Sequence, residues 1–462
     1  MFKDKFTKAF KAILPSPLSI ALLLTVFTFT LAIFFGNKEA NSLVEIATYW
    51  EKGLWGMDLV EGIWRRSWQL PFLVQMMLML VLGYVLAMSK PFNWLVNKLT
   101  RHCTNTAKAA AIISFLTILV SLFNWGLGLV FGAIFARKVA EFASRQQFKL
   151  HYGLIGAAGY SGMMTWHGGL SGSAPIKAAE AGALDQLVPN STLGLSEITL
   201  DQTVFSSMNL TVSFLLLTIL PISLYFIGRK TGGSLLNIKP NHTVPPNKSN
   251  IIGAEKIDHS PIFLKIMGGL ILLYAIYKAF ILPERISLTF LTPDFINLAL
   301  LALAFTFHQN IFSFLKSLDH AISSASGILI QFPFYFGILG IMKYSGLMAD
   351  LSSFFVEISN DSTFSINTLL SASVVNIFVP SGGGQWAVQG PIILEAANQL
   401  NLSLSKSIMA IAYGDQLTNM LQPFWALPLL GITGLKPKEI IPFTLILMVI
   451  GFIIFTFGLL LF

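Results

Sequence analysis

A chain of 462 residues with 54% hydrophobic and only 11% charged residues excludes a water-soluble globule, which would carry roughly 25% charged residues. The net charge of +8 reports orientation across a bilayer and gives no argument for nucleic acid. One cysteine, Cys103, excludes an internal disulfide framework and a cysteine metal site. The class is an all-α polytopic membrane protein.

The basic start (Lys3, Lys5, Lys8, Lys11) precedes an apolar run at 18–35 that has no small-residue cleavage site. It is long enough to span and is read as a retained helix, with the N-terminus cytoplasmic. Residues 38–68 mix aromatics with charges and are expected to form an external interfacial helix; residues 90–106 look similar on the cytoplasmic side. Further spans are expected at 70–88, 152–176, 203–227, 261–282, 295–313, 322–343, 407–430 and 441–461. The last of these leaves the C-terminus external. The Pro-, Asn- and Lys-containing segment 228–260 reads as a cytoplasmic linker near mid-chain.

Two apolar segments, 107–141 and 363–399, are too long for one span and are interrupted, at Asn124-Trp-Gly-Leu-Gly128 and at VNIFVPSGGGQW, 375–386. Three consecutive glycines each weaken a helix by about 1 kcal/mol relative to Ala. The second stretch is therefore read as non-helical backbone, tolerated at membrane depth only where it is buried in protein or lines a wet cavity. Basic residues flank the first segment on both sides (Lys98, Arg101, Lys108; Arg137, Lys138, Arg145) and acidic residues flank the second (Asp350, Glu357, Asp361; Glu395). Like charge at both ends makes each segment enter and return on one side: two opposed re-entrant hairpins.

An internal repeat relates them. Ser121-Leu-Phe-Asn124 answers to Ser373-Val-Val-Asn376, and Tyr160 answers to Tyr413, 36 and 37 residues after the two asparagines. Pro175 and Pro428 follow the tyrosines at a common spacing. The division is then 1–69 (spanning and interfacial helices), 70–227 (first repeat), 228–321 (linker and connecting spans) and 322–462 (second repeat). The two repeats start from opposite sides, an inverted topology characteristic of transporters with midplane sites.

The spans 152–176 and 407–430 are expected to be discontinuous helices, with polar breaks at Ser161, Thr165, Trp166, His167, Ser171 and Ser173, and at Asp415, Gln416, Thr418, Asn419 and Gln422. Broken helices present unpaired N–H groups to an anion and carbonyls to a small cation. The candidate substrate site comprises Ser121, Asn124, Thr165, Trp166, His167, Asn376, Ser381, Gly382, Gly383, Gly384, Gln385, Trp386, Thr418 and Asn419. Asp415 and His167, with Ser373, Asn376 and Asn124, are candidates for a coupling ion; proton and sodium both stay open. No Arg or Lys falls in the breaks, which argues against an arginine-clamped dicarboxylate. A small monocarboxylate, with Trp166, Trp386 and Phe378 walling its alkyl tail, fits better. The histidines show no ligand spacing, so neither a metal site nor a cofactor follows. An intramembrane serine hydrolase, with Ser161 as nucleophile and His167 as base, is the competing reading from another class; a channel is a third.

The strings NIFVPSGGGQWAVQGP (376–391), YGDQLTNMLQPFWALPLLGI (413–432) and GMMTWHGGLSGSAP (162–175) resemble the bacterial short-chain fatty acid transporter family. The resemblance runs over essentially the whole chain. It implies a paired-hairpin carrier of the inner membrane and uptake of butyrate- or acetoacetate-like acids coupled to protons or sodium. It also implies a homodimer in which a hairpin-bearing domain moves against a scaffold. The Ser-Asn-Thr triplet of the superfamily's sodium-coupled dicarboxylate carriers is absent: Trp-Gly follows Asn124 and Ile-Phe follows Asn376.

Overall fold

A computed structural model describes residues 16–36, 42–60, 62–66, 69–180, 182, 184, 197–238, 253–282, 290 and 292–462. In chain order the helices are α1 (Pro17–Phe35), α2 (Leu43–Leu54), α3 (Gln69–Met88), α4 (Lys90–Thr100), α5 (Thr106–Phe123), α6 (Trp125–Gln146), α7 (Tyr152–Tyr160), α8 (Ser173–Ala178), α9 (Ser207–Lys230), α10 (Glu255–His259), α11 (Pro261–Ile276), α12 (Pro293–Phe307), α13 (Ile311–Tyr344), α14 (Leu347–Glu357), α15 (Phe364–Phe378), α16 (Gly382–Gln399), α17 (Leu404–Thr418), α18 (Leu427–Thr433) and α19 (Pro437–Leu461). Among the described residues, six helices are long and apolar enough to cross a bilayer: 17–35, 69–86, 106–123, 207–230, 261–281 and 437–461.

Local chemistry sets their ends and their surroundings. Ser16 caps α1 ahead of Pro17, and Asn105 and Ser206 cap α5 and α9 through side-chain oxygens. Inside α1 the hydroxyls of Thr25, Thr28 and Thr30 each donate back to the carbonyl four residues earlier, leaving no donor unmet in an apolar setting. Large apolar side chains point outward on α1, α9 and α11, among them Phe27, Phe214, Ile266 and Leu270, as lipid contact requires.

The helices form two packed groups. α1, α2, α3, α11, α12 and α13 lie against one another; α5 to α9 and α15 to α19 form the second group, which meets the first where α3 touches α6 and α13 touches α18. Each half of the chain repeats one order: a long helix, an eleven-residue helix (α4, α14), a touching helix pair (α5/α6, α15/α16), an interrupted helix (α7/α8, α17/α18) and a long helix (α9, α19). The exchange between halves is reciprocal: α18 packs on α6, and α8 packs on α16.

Several expectations need correction. Among the described residues of 38–68 the helix covers 43–54 and gives way to an antiparallel two-stranded hairpin, β1 (Met57–Val60) and β2 (Ile63–Arg66), within an otherwise helical fold. Gly56 and Gly62, both at positive φ, turn the backbone there. The expected spans 295–313 and 322–343 are displaced, because Asn310 and Ser313 form a capping box that starts α13 at 311. The charged stretch around Lys316 and Asp319 then continues as helix, so the dip in hydropathy marks a polar surface and not a chain break. Of the linker, 239–252 lie outside the described residues, whereas 231–238 are strapped to the end of α6: Leu150 bridges Ser234, and the Ser144 hydroxyl donates to the Leu236 carbonyl.

Candidate functional site

The interruptions are tighter than the glycine content suggests. Between α5 and α6 only Asn124 leaves the helix; its side-chain oxygen accepts from the Leu127 N–H at 3.0 Å and caps α6. Between α15 and α16 the non-helical residues are 379–381, and Gly382, Gly383 and Gly384 form the first turn of α16. The expected unwound glycine run is therefore helical, and Ser381, accepting from Gly384 N–H at 3.2 Å, is the counterpart of Asn124 as a cap. Asn376 is not. It lies inside the last turns of α15, so the two asparagines do not play matched roles.

The first interrupted helix breaks as expected, through 3₁₀ turns at 161–164 and 166–168 and bends up to Gly172. In the second, α17 runs to Thr418, and the break covers 419–426. Asp415, Gln416 and Thr418 thus project from the final helical turn.

These elements converge on one buried network. The His167 Nδ1 lies 2.5 Å from Asp415 Oδ2, and neither side chain is more than 2% exposed. The Ala174 N–H, in the first turn of α8, donates to His167 Nε2 at 3.0 Å. Nε2 is therefore without a hydrogen, and Nδ1 carries the ring proton and donates it to the carboxylate. The Gln416 side-chain oxygen accepts the His167 backbone N–H at 2.9 Å. Asn376 Nδ2 approaches the Asp415 carbonyl (2.6 Å), Thr418 Oγ1 (3.0 Å) and Asn419 Oδ1 (3.0 Å); the Thr418 hydroxyl donates to the Ser373 carbonyl, and Gln422 donates to the Asn376 carbonyl. Ser373 itself donates to the Leu369 and Gly414 carbonyls.

The tip of α16 closes over this network. A Cβ added at Gly382 would lie 2.8 Å from His167 Cε1 and 2.9 Å from the Trp166 ring, a contact only glycine permits. Trp166 stacks on the His167 ring at 4.4 Å between centroids. Several buried atoms lack a hydrogen-bond partner among the described residues: Trp166 Nε1, Asn376 Oδ1, Asn419 Nδ2 and Gln422 Oε1 around the network, and Ser121 Oγ away from it. Orphaned buried polar atoms are costly and mark places where a water or ligand belongs.

Other expected residues lie apart. Ser121 is wedged between Gly128 and Gly162, where a Cβ on either glycine would overlap its hydroxyl. The first tip joins the first break through Trp125 N–H to Ser171 Oγ (2.9 Å) and Leu170 N–H to the Leu122 carbonyl (2.8 Å). Thr165 donates to the Gly162 carbonyl of its own turn. Gln385 faces away from the histidine: it donates to the Ala372 carbonyl and Gln389, which donates to Ser352 and Ser371. Trp386 sits in a separate apolar cluster with Ala174 and Ile411, and Phe378 stacks on Phe27. The ring packing around Trp166 is instead made by Trp125 and Trp425 with Phe72, Phe332 and Phe424. Beside it lies an apolar crevice of about 10 Å³, room for little more than a water-sized group, lined by residues including Met79, Leu129, Trp425 and Pro428. Asn209 was not anticipated: from α9 it donates to the Gly168 carbonyl (2.8 Å) and accepts the Tyr413 hydroxyl (3.0 Å). An asparagine in the first turn of an apolar helix was the available signal.

The Ser161 hydroxyl donates to the Ala158 carbonyl and meets Ser114 Oγ at 2.8 Å. Its bonds are spent away from His167, which disposes of the nucleophile–base pair.

The family model described as short chain fatty acid transporter matches residues 2–462. The chain belongs to the short-chain fatty acid transporter family. This is a family of transporters and not of enzymes, and the protein is a multi-pass membrane protein. The transporter is 33% identical over 464 residues to a provisionally named short-chain fatty acid transporter of Escherichia coli (strain K12), covering 97% of this chain and 96% of that one. A similarly named protein of Haemophilus influenzae (strain ATCC 51907 / DSM 11121 / KW20 / Rd) is 33% identical over 453 residues, 96% of each chain. The crystal structure of the Alcanivorax borkumensis YdaH transporter aligns over 97% of both chains at 15% identity with a TM-score of 0.42.

Proposed function

We propose that the transporter carries short-chain monocarboxylates such as butyrate or acetoacetate across the bacterial inner membrane by cation-coupled alternating access. The observation that carries this is the His167–Asp415 crossing. It is an ionisable pair sealed between the two halves, beside a packed aromatic cluster and, among the described residues, hydrogen-bonded by no Arg or Lys. A burial this costly is functional by default. The absence of a guanidinium clamp suits one carboxylate better than two.

The two helix pairs act as re-entrant hairpins, entering from the cytoplasm at 107–141 and from outside at 363–399, within inverted repeats over 70–227 and 322–462. The N-terminus is cytoplasmic and the C-terminus external. The hairpin-bearing group moves as a unit against α1 to α3 and α11 to α13, in the manner of an elevator, within a homodimer. Support for movement along this seam comes from its contacts: Gly83 meets Val130, and Gly126 meets Met79, an apolar surface with flexible methionines.

Uptake of labelled butyrate into proteoliposomes, with lactate and succinate as competitors, tests the substrate. Inhibition by unlabelled butyrate and not by succinate is expected; strong inhibition by succinate alone would favour a dicarboxylate carrier, and by lactate alone a lactate carrier.

A further inference from the structure

We infer that the coupling ion is a proton, carried by the His167–Asp415 pair and gated by the Gly382 tip; this rests on the transport reading above. The bond from Ala174 N–H to Nε2 leaves the imidazole neutral, with its single ring proton directed at Asp415. The pair then bears one negative charge. Its other contacts are neutral: the Gln416 oxygen at the His167 backbone, Asn376 at the Asp415 carbonyl, and the Trp166 ring.

A carboxylate brought to this network meets like charge in a buried setting. One proton taken up at Nε2 makes the pair electrically neutral, frees the Ala174 N–H and turns Nε2 into a donor. The orphaned donors Trp166 Nε1, next in sequence to the histidine, and Asn419 Nδ2, one hydrogen bond beyond Asn376, are then free to hold the anion. Proton and carboxylate each favour the other's binding, and the coupling is reciprocal. The proton comes from water on the side where the site opens and returns to water on the other; no other bond changes.

The gate is geometric. Gly382 lies on the Cε1 edge of the ring, between the two nitrogens, so the pair exchanges protons only when the tip lifts. Among the described residues, the titratable groups near the pair on the packed elements are Tyr413 on α17 and Tyr160 on α7. Tyr413 is bound to Asn209, and Tyr160 to the Asn419 carbonyl. Lys108, Lys177, Glu180, Glu395 and Lys406 stand at the outer ends of α5, α8, α16 and α17, with Lys177 and Glu180 paired to each other.

The test uses the full chain in proteoliposomes with labelled butyrate, subtracting protein-free vesicles to remove leakage of the free acid. An inside-alkaline gradient without sodium is expected to drive accumulation, with one proton entering per butyrate by a trapped pH dye. The apparent KM should rise about tenfold per pH unit on the alkaline limb. Asp415→Asn and His167→Gln should each lose gradient-driven accumulation at least about tenfold while still eluting as a single species from a sizing column, and any butyrate exchange that either retains should carry less than one proton per butyrate, a separation that mere misfolding does not produce. Accumulation driven by sodium and indifferent to the pH gradient would overturn the inference alone. Absence of butyrate exchange by the wild type would overturn the transport reading and this inference with it. If both variants fail to exchange, the wild-type proton count decides: one per butyrate supports the inference and none removes it.

Discussion

Tyr160 reaches from the first half of the chain to donate its hydroxyl to the Asn419 carbonyl at the break of the second, 2.9 Å away. Tyr413 reaches the other way, through Asn209 to the Gly168 carbonyl at the break of the first. Each break is thus held by a buried tyrosine of the opposite half. Tyr160→Phe removes one hydroxyl and leaves a buried carbonyl unmet, which costs about 1–2 kcal/mol. Thermal unfolding in detergent should show the lowered stability, and Tyr413→Phe a comparable loss.

Asn376 joins the second hairpin to the end of α17 through three oxygens. Asn376→Ala is expected to reduce butyrate uptake at least about tenfold while the protein still elutes as a single species from a sizing column. Normal uptake kinetics in this variant would remove Asn376 from the site.

Gly382→Ala places a methyl 2.8 Å from His167 Cε1. The tip must shift by several tenths of an ångström, so the closed state weakens and net uptake falls. Gly383→Ala, with nothing within 4 Å of the added atom, should transport nearly as the wild type does. The contrast between neighbouring glycines separates tip closure from helix propensity, because both substitutions add the same favourable helical residue.

Gly132 and Gly159 pack backbone to backbone where α6 crosses α7; a Cβ on either would strike the carbonyl of the other. Gly132→Ala overpacks this crossing at a cost of about 1–3 kcal/mol, and its melting temperature should drop even with saturating substrate present.

Cys103, in the turn between α4 and α5, is fully buried, and burial pushes its thiol up to about 12. The thiolate is the reactive form, so at pH 8 maleimide labelling should run roughly a thousandfold slower than for an ordinary thiol and accelerate as pH rises. Labelling at the rate of a free thiol would show that this turn opens.

Membrane class, most of the spanning helices and the places where they break were legible in the chain because they rest on local quantities. Runs of apolar residues, charges at their ends, and Pro, Gly and Asn at interruptions each act within a few residues. The same locality explains the errors. A hydropathy dip at Lys316 and Asp319 looked like a loop, yet a helix continues through it, since backbone hydrogen bonds do not depend on side-chain charge. Three glycines looked unwound, yet Ser381 caps them into the first turn of α16, and Gly382 alone of the three lies against Trp166 and His167. Asn124 and Asn376 looked equivalent from spacing alone, but one caps a helix and the other bridges two.

Only the tertiary structure decided which candidates meet. His167 and Asp415 are 248 residues apart, and no periodicity in the chain says that their side chains touch. That contact exists because the interrupted helices of the two halves cross at their breaks, where missing backbone hydrogen bonds leave polar groups that partners distant in sequence, several of them from the opposite half, satisfy.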